Sequence, residues 1–296
     1  ESGAVWTWRV YDATTMTVLA SAGRVKSDGT ELTQGGVAIS NAEQTIDAHI
    51  NTVSLEARIN GEFGDDGSWM VGVNRSEDSG KEDHQVDILT QYVVHLGGIT
   101  MTDYMNTYGD TDAVSQGVFF HGDMGVTDEL KASLGLRYTQ ESRDFTGCTY
   151  VPADTPRANN PSIFFSTMAG VAAGRGNSQL NLQPGDCITL NAVGGNEAFS
   201  DSLDEENVSG RVSLDWKPTE DYLYYLALIR GFKSGGFPVT NASDQVQYDP
   251  VTQEKLYAGE VGAKLTLLDN RLRLNGAAFY YNYRDKQLVS RYSDPL

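Results

Sequence analysis

Four histidines, two cysteines and a few acidic runs are the residues with metal or nucleophile chemistry within their reach. His49, His84, His95 and His121 are dispersed. None stands in an HExxH or HxH pattern or has a carboxylate at ligand spacing, so no histidine-based metal site is expected. Asp65-Asp66 and the run 201–206 hold enough carboxylates for Ca²⁺, but acidic turns of this kind are ordinarily just solvated. The glycine-rich stretch 231–236 follows a strand-like segment, yet no helix and no GKS/T pattern comes after it, so a phosphate cradle is not expected either. Hydrolase chemistry would need a serine and a histidine to converge, and no spacing supports that. The sequence describes no enzyme and asks for no cofactor.

Cys148 and Cys187 flank one polar, turn-rich segment. In a reducing compartment they would stay free thiols. In an exported protein they would pair, and closing that loop would contribute about 4 kcal/mol in the chain-entropy description. Pairing is the expectation, conditional on export. Two further groups could meet a ligand or a neighbouring domain. Arg58, Arg137, Arg211, Lys264 and Arg273 lie on the polar faces of strand-like segments, where they would hold carboxylates, draw an anion inward, or simply be hydrated. Among loop aromatics, Phe164 and Phe165 fall between the two cysteines and Phe237 follows the glycine-rich stretch. They are candidate ligand contacts, the alternative being a hydrophobic cluster that only folds the loop.

Long strands must position these groups. In 207–237, Val208, Val212, Leu214 and Trp216 share one parity while Ser209, Arg211, Ser213 and Asp215 take the other. A period of two marks a strand with one apolar and one polar face. The turn KPTED at 217–221 follows, then a second strand over 222–232. Strands of about a dozen residues are roughly twice the usual soluble length, and at roughly 3.3 Å per residue they cross a bilayer's hydrocarbon while tilted. The same pattern recurs over 50–63, 129–145, 255–267 and 271–283. It is looser over 4–11, 15–26 and 113–121, and residues 287–292 begin one more strand.

Short turns (12–14, 64–67, 123–128, 217–221, 268–270) alternate with long loops (27–49, 74–110, 146–206, 238–254). Up-and-down membrane barrels have this asymmetry, with short periplasmic turns and long extracellular loops. A soluble sandwich would scatter loop lengths over both ends. The basic residues Arg58, Lys131, Arg137, Arg211, Lys264 and Arg273 avoid the apolar parity of their strands. An arginine on the lipid face would cost about 2–4 kcal/mol at the bilayer midplane. Phe63, Trp69, Tyr138, Trp216, Tyr222 and Tyr257 fall near strand ends, where aromatic girdles belong.

Composition narrows the class. A net charge of -18 disfavours nucleic acid as a partner. With 31 Gly and 15 Tyr against 8 Pro and 6 Met, the chain suits a sheet-rich protein with many turns. No apolar run reaches the length of a spanning helix. The chain begins Glu-Ser-Gly, without a signal peptide, so the leader is expected to have been removed or to lie upstream of this sequence.

GLRYTQESRDF (135–145), SGRVSLDWKPTEDYLYYLALIRGFKSGGF (209–237) and YDP…EKLYAGEVGAKLTLLDNRLRLNGAAFYYNYRDKQL (248–288) resemble the barrel of TonB-dependent outer-membrane receptors, nearest the siderophore-receptor-like group. RGFKSGGF followed by Glu260, Gly262 and Lys264 is the most specific combination. The resemblance covers most of the chain and is strongest over 129–288. It implies an all-β, antiparallel up-and-down transmembrane barrel of about 22 strands with a plugged lumen, of which about eleven are visible here. Residues 1–296 are then expected to be about half a barrel, with plug, TonB-contacting box and terminal aromatic strand outside the sequence. The implied activity is energised import of a scarce ligand, a ferric siderophore, across the bacterial outer membrane. The implied partners are the protein's own plug, the TonB complex acting through it, and outer-membrane lipid. A passive porin-like barrel and a soluble β-rich binding domain are the alternative readings. Ligand identity is not readable, because loops and plug set it.

Overall fold

Alternation of apolar and polar residues carries the backbone into long antiparallel strands, and the computed structural model describes them over residues 2–32, 43–87, 94–96, 99–101, 105–151, 170–171, 174 and 182–288. In chain order they are β1 (Ser2–Tyr11), β2 (Thr14–Leu32), β3 (Glu43–Phe63), β4 (Gly67–Asp87), β5 (Val94–Leu96), β6 (Ile99–Met101), β7 (Met105–Thr127), β8 (Leu130–Tyr150), β9 (Phe199–Thr219), β10 (Tyr222–Lys233), β11 (Glu254–Leu267) and β12 (Leu272–Arg284). Ten of them form one sheet in the order β1-β2-β3-β4-β7-β8-β9-β10-β11-β12, and β5 pairs only with β6. Each strand of the sheet lies beside its neighbour in sequence, apart from the small β5–β6 ribbon between β4 and β7. That is the up-and-down arrangement the turn and loop lengths predict.

Pairing register lines the apolar parity into continuous rows. One row runs Trp6, Val18, Ala57, Val73, Val118, Tyr138, Val208 across seven strands. Another runs Met124, Ala132, Leu214, Leu226, Val261, Ala278. These side chains are not a core. Leu134 is 37% exposed, Leu214 41% and Leu274 54%, as a sheet needs when its apolar face meets lipid rather than a second sheet. On β9 the apolar parity runs from Val208 to Trp216, roughly 26 Å at 3.3 Å per residue, the scale of a membrane barrel's apolar band.

Strand ends differ from the expectations in an instructive way. Residues 27–49, 74–110 and 146–206 were read as loops. In the structure β2 continues to Leu32, β3 begins at Glu43, β4 reaches Asp87, β7 begins at Met105, β8 reaches Tyr150 and β9 begins at Phe199. Pairs such as Ser54 with Ser76 and Asp47 with Asp83 keep the ladder going. Beyond the hydrocarbon neither face has to be apolar, so alternation fades while backbone hydrogen bonding persists. Similarly, β7 runs to Thr127 and the turn expected at 123–128 shrinks to Asp128 and Glu129. Among the described residues the sheet holds ten strands, and Gln287 and Leu288 of the eleventh expected one are not in a strand. The remainder of that expected strand, 289–292, lies outside the described residues. Within the expected loop 74–110, residues Val94–Leu96 form β5. The turn after β11 holds Leu268, Asp269 and Asn270 at positive φ (55°, 51°, 66°), a left-handed run that Asn and Asp tolerate better than most residues.

Candidate functional site

Opposite the apolar rows, the other parity forms a polar face, and the basic residues singled out in the sequence all fall on it. Arg58 donates to Glu56 at 3.1 Å. Arg137 reaches furthest: Nε donates to Thr139 at 2.9 Å, Nη2 to Asn74 at 2.8 Å, and the guanidinium lies 5.9 Å from the Phe119 ring centre. Lys264 sits 6.0 Å above the ring of Tyr225, whose hydroxyl donates to Glu260 at 2.6 Å. Arg211 and Arg273 are exposed and have no ion pair among the described residues. The five are therefore spread along the face rather than gathered into one pocket. Nearer the short turns, Asp123 accepts from Ser133 at 2.5 Å, with His121 at 3.3 Å and Lys131 at 4.0 Å. Among the described residues no group of His, Cys, Asp or Glu is arranged to hold a metal ion.

At the long-loop end, the polar parity gains a buried aromatic knot. Phe145 of β8 is 2% exposed and stacks on Phe237 at 5.0 Å with 6° between ring planes. Phe199 of β9 and Tyr248 close around it at 6.2 and 5.8 Å. Tyr248 belongs to the 3₁₀ turn Gln245–Tyr248, capped by Asp244 and Gln247. Burial pushes its phenol above the ordinary tyrosine range. Beneath the rings runs a buried hydroxyl network. Thr107 donates to Asn241 at 2.6 Å, the Ala242 N–H to Thr149 at 2.7 Å, and Thr189 to the Ala242 carbonyl at 3.0 Å. Burying these polar groups is tolerable because each finds a partner.

Three devices fasten the loops above the knot. Cys148 and Cys187 are joined, with Cα atoms 5.8 Å apart and a sequence separation of 39. Leu190 pairs with the segment after Phe237 through its N–H to Ser243 O (3.0 Å) and its carbonyl from Gln245 N (2.9 Å). Glu205 accepts Gly235 N–H and Gln253 N–H, each at 2.7 Å, so one carboxylate ties both ends of the loop between β10 and β11 to β9. The acidic run 201–206, considered for Ca²⁺, thus supplies a loop clamp. Phe237, a candidate ligand contact, is half-buried with one face on Phe145. Phe164 and Phe165 lie outside the described residues. The sequence marks Glu205 only as one member of the acidic run 201–206, and marks Phe145 and Tyr248 only as an aromatic at the end of an alternating strand and the first residue of YDP at 248–250.

The family profile described as TonB dependent receptor-like, beta-barrel matches residues 2–295. No curated protein matches the chain. Among solved structures, the ferric yersiniabactin uptake receptor FyuA from Yersinia pestis superposes with a TM-score of 0.65 at 16% identity, covering 97% of this chain and 36% of that one. The siderophore receptor PiuA from Acinetobacter baumannii gives 0.62 at 13% identity, over 94% of this chain and 39% of that one. The ferric-catecholate import receptor Fiu from E. coli K12, in its open form, gives 0.55 at 16% identity over 96% and 40%. At such identities the likeness is one of fold, and the chain spans well under half the length of these receptors. With lipid-type rows on one parity, a wet face on the other and the profile running the length of the sheet, the chain belongs to the TonB-dependent receptor β-barrel family of the bacterial outer membrane.

Proposed function

We propose that residues 1–296 are the barrel portion of an energised outer-membrane importer whose ligand is a ferric siderophore. Signal peptide, plug and the remaining strands would be supplied by the rest of the protein. The observation that carries the proposal is the placement of the loop knot. Phe145 and Phe199 are on the polar parity, so the described loop residues packed on them, Phe237, Val239, Ala242 and Tyr248, lie on what would be the lumen side at the cell-exterior end, where a ligand enters. FyuA, PiuA and Fiu are named as siderophore or ferric-chelate receptors and share this fold. Arg58, Arg137, Arg211, Lys264 and Arg273 would line the lumen and meet carboxylates of the plug, through which the TonB complex delivers energy. Phe164, Phe165 and the half-buried Phe237 are the proposed ligand contacts at the mouth. The barrel carries out no bond chemistry in this reading.

Uptake of a radiolabelled ferric siderophore by cells carrying the full-length receptor, with and without TonB, tests the proposal. Accumulation that requires TonB and an energised inner membrane is expected. Uptake that persists without TonB, or ion conductance of the purified protein in planar bilayers, would favour a passive pore instead.

A further inference from the structure

The loop between β10 and β11 (234–253) leaves the sheet at one place and is fastened at another. Its neck is closed by reciprocal backbone hydrogen bonds between Gly236 and Val251, at 3.0 and 2.9 Å. Gln287, beyond β12, donates to the carbonyls of Ser234 (2.9 Å) and Thr252 (3.0 Å). From that neck the chain crosses β9 and β8 and comes down on β7. There Asn241 accepts from Thr107 at 2.6 Å. Val239 fills the space above Gly109, where an added Cβ would lie only 2.6 Å from Val239 Cγ2. β7 and β10 are three places apart in the sheet, about 14 Å at the usual strand spacing. The span is thus held at both ends. In its middle it rests on β8, through the Ala242 N–H on Thr149 and the stack of Phe237 on Phe145.

A second segment, 185–190, is laid along the first. It is bonded to the end of β8 by Gly185 N–H on Val151 O (2.8 Å), Val151 N–H on Asp186 O (3.0 Å) and Ile188 N–H on Thr149 O (2.8 Å). Leu190 then joins it to Ser243 and Gln245 of the first loop. Ile188, Thr189, Ala242 and Tyr248 are at most 1% exposed. A loop that opens in function has few buried contacts and solvent-exposed hydrogen bonds, because opening has to be cheap. These segments have the opposite character. Lifting them would uncover Phe145 and Tyr248 and, in the same movement, break the bonds to Thr107, Thr149 and Thr189.

We infer that 234–253, with 185–190 bound along it, is a fixed strap at the lumen mouth that stays seated while ligand is imported. Passage of ligand needs no release of this loop, and Phe237 is presented on a rigid support, so its contact with ligand is preorganised. That the strap stays seated during import rests on the importer reading above; that it is seated at all does not.

Two measurements on the full-length receptor test this. In hydrogen exchange, the amides of Leu190, Gly236, Ala242 and Gln245 should exchange more than about a hundredfold slower than in an unstructured peptide. Faster exchange at Ala242, whose partner Thr149 is on β8, would overturn the seating. The double variant Gly109→Cys/Val239→Cys, once oxidised, bolts the strap to β7, and its folding is read from heat-modifiable gel mobility. TonB-dependent uptake of radiolabelled iron, carried by a tris-catecholate and by a tris-hydroxamate chelator, should stay within about twofold of that of the two single-cysteine variants. A larger loss in the bolted receptor, with both single variants active, would show that the strap has to lift and would overturn the inference. If the parent receptor takes up neither chelate, the importer reading loses support, and the exchange rates alone decide whether the strap is fixed.

Discussion

The membrane rows and the extracellular knot hold the same kinds of side chain in opposite places. Along the rows, leucine, valine and tryptophan point outward: Leu228 is 56% and Trp216 48% exposed. In the knot, Phe145, Ile188, Leu190 and Tyr248 are at 2% or less. The rows need no interior, because lipid is their apolar phase and each backbone group is satisfied within the sheet. The knot sits in water and has to make its own dry interior from loop segments, a disulfide and buried threonines. Stability in the first region should therefore answer to the polarity of what is substituted. In the second it should answer to volume and cross-links.

Deleting the knot's central ring should give the largest effect. Phe145→Ala removes the partner of Phe199, Phe237 and Tyr248 and is expected to cost the loop domain about 3–5 kcal/mol. Protease should then cut between β8 and β11 while the barrel stays heat-modifiable on gels. Next comes the bridge. Cys148→Ser, or reduction, should cost about 4 kcal/mol in the same assay, and reducing against non-reducing gels of the full receptor would check the bond. In the rows, Leu226→Arg should cost about 2–4 kcal/mol in folding titrations into bilayers. Ser209→Arg, on the wet parity, should stay within about 0.5 kcal/mol. The smallest effect involves Tyr248. Its pKa is raised by burial, so the unfolded loop ionises first as pH climbs past the ordinary tyrosine range. The knot's stability is whole below that range and falls as pH rises toward the folded value. Protease sensitivity of the loops should rise with alkaline pH in the parent and less so in Tyr248→Phe.

What was legible in the sequence follows the same division. Lipid imposes alternation residue by residue, so Val208 to Trp216, Leu130 to Tyr138 and the hairpin around 268–270 could be read directly. Outside the hydrocarbon that constraint ends. The extensions at 43–49, 74–87, 146–150 and 199–206 were therefore invisible as strands, although their ladders are continuous. The knot was harder still. Its contacts join Phe145 to Tyr248 and Thr107 to Asn241, positions about a hundred residues or more apart, and no local pattern encodes such a meeting. Parity placed Arg58, Arg137, Arg211, Lys264 and Arg273 on the wet face. It could not say that Arg137 would be spent on Thr139 and Asn74.

The account stands on the two faces of one strand meeting different solvents. Spin labels at Leu214→Cys and Ser209→Cys, placed one at a time in the full-length receptor in bilayers, read this through collision with oxygen and with a water-soluble nickel chelate. Position 214 should collide with oxygen and be hidden from nickel, and position 209 should show the reverse. Equal nickel access at both positions, or oxygen preference at 209, would contradict the placement of lipid on the apolar rows.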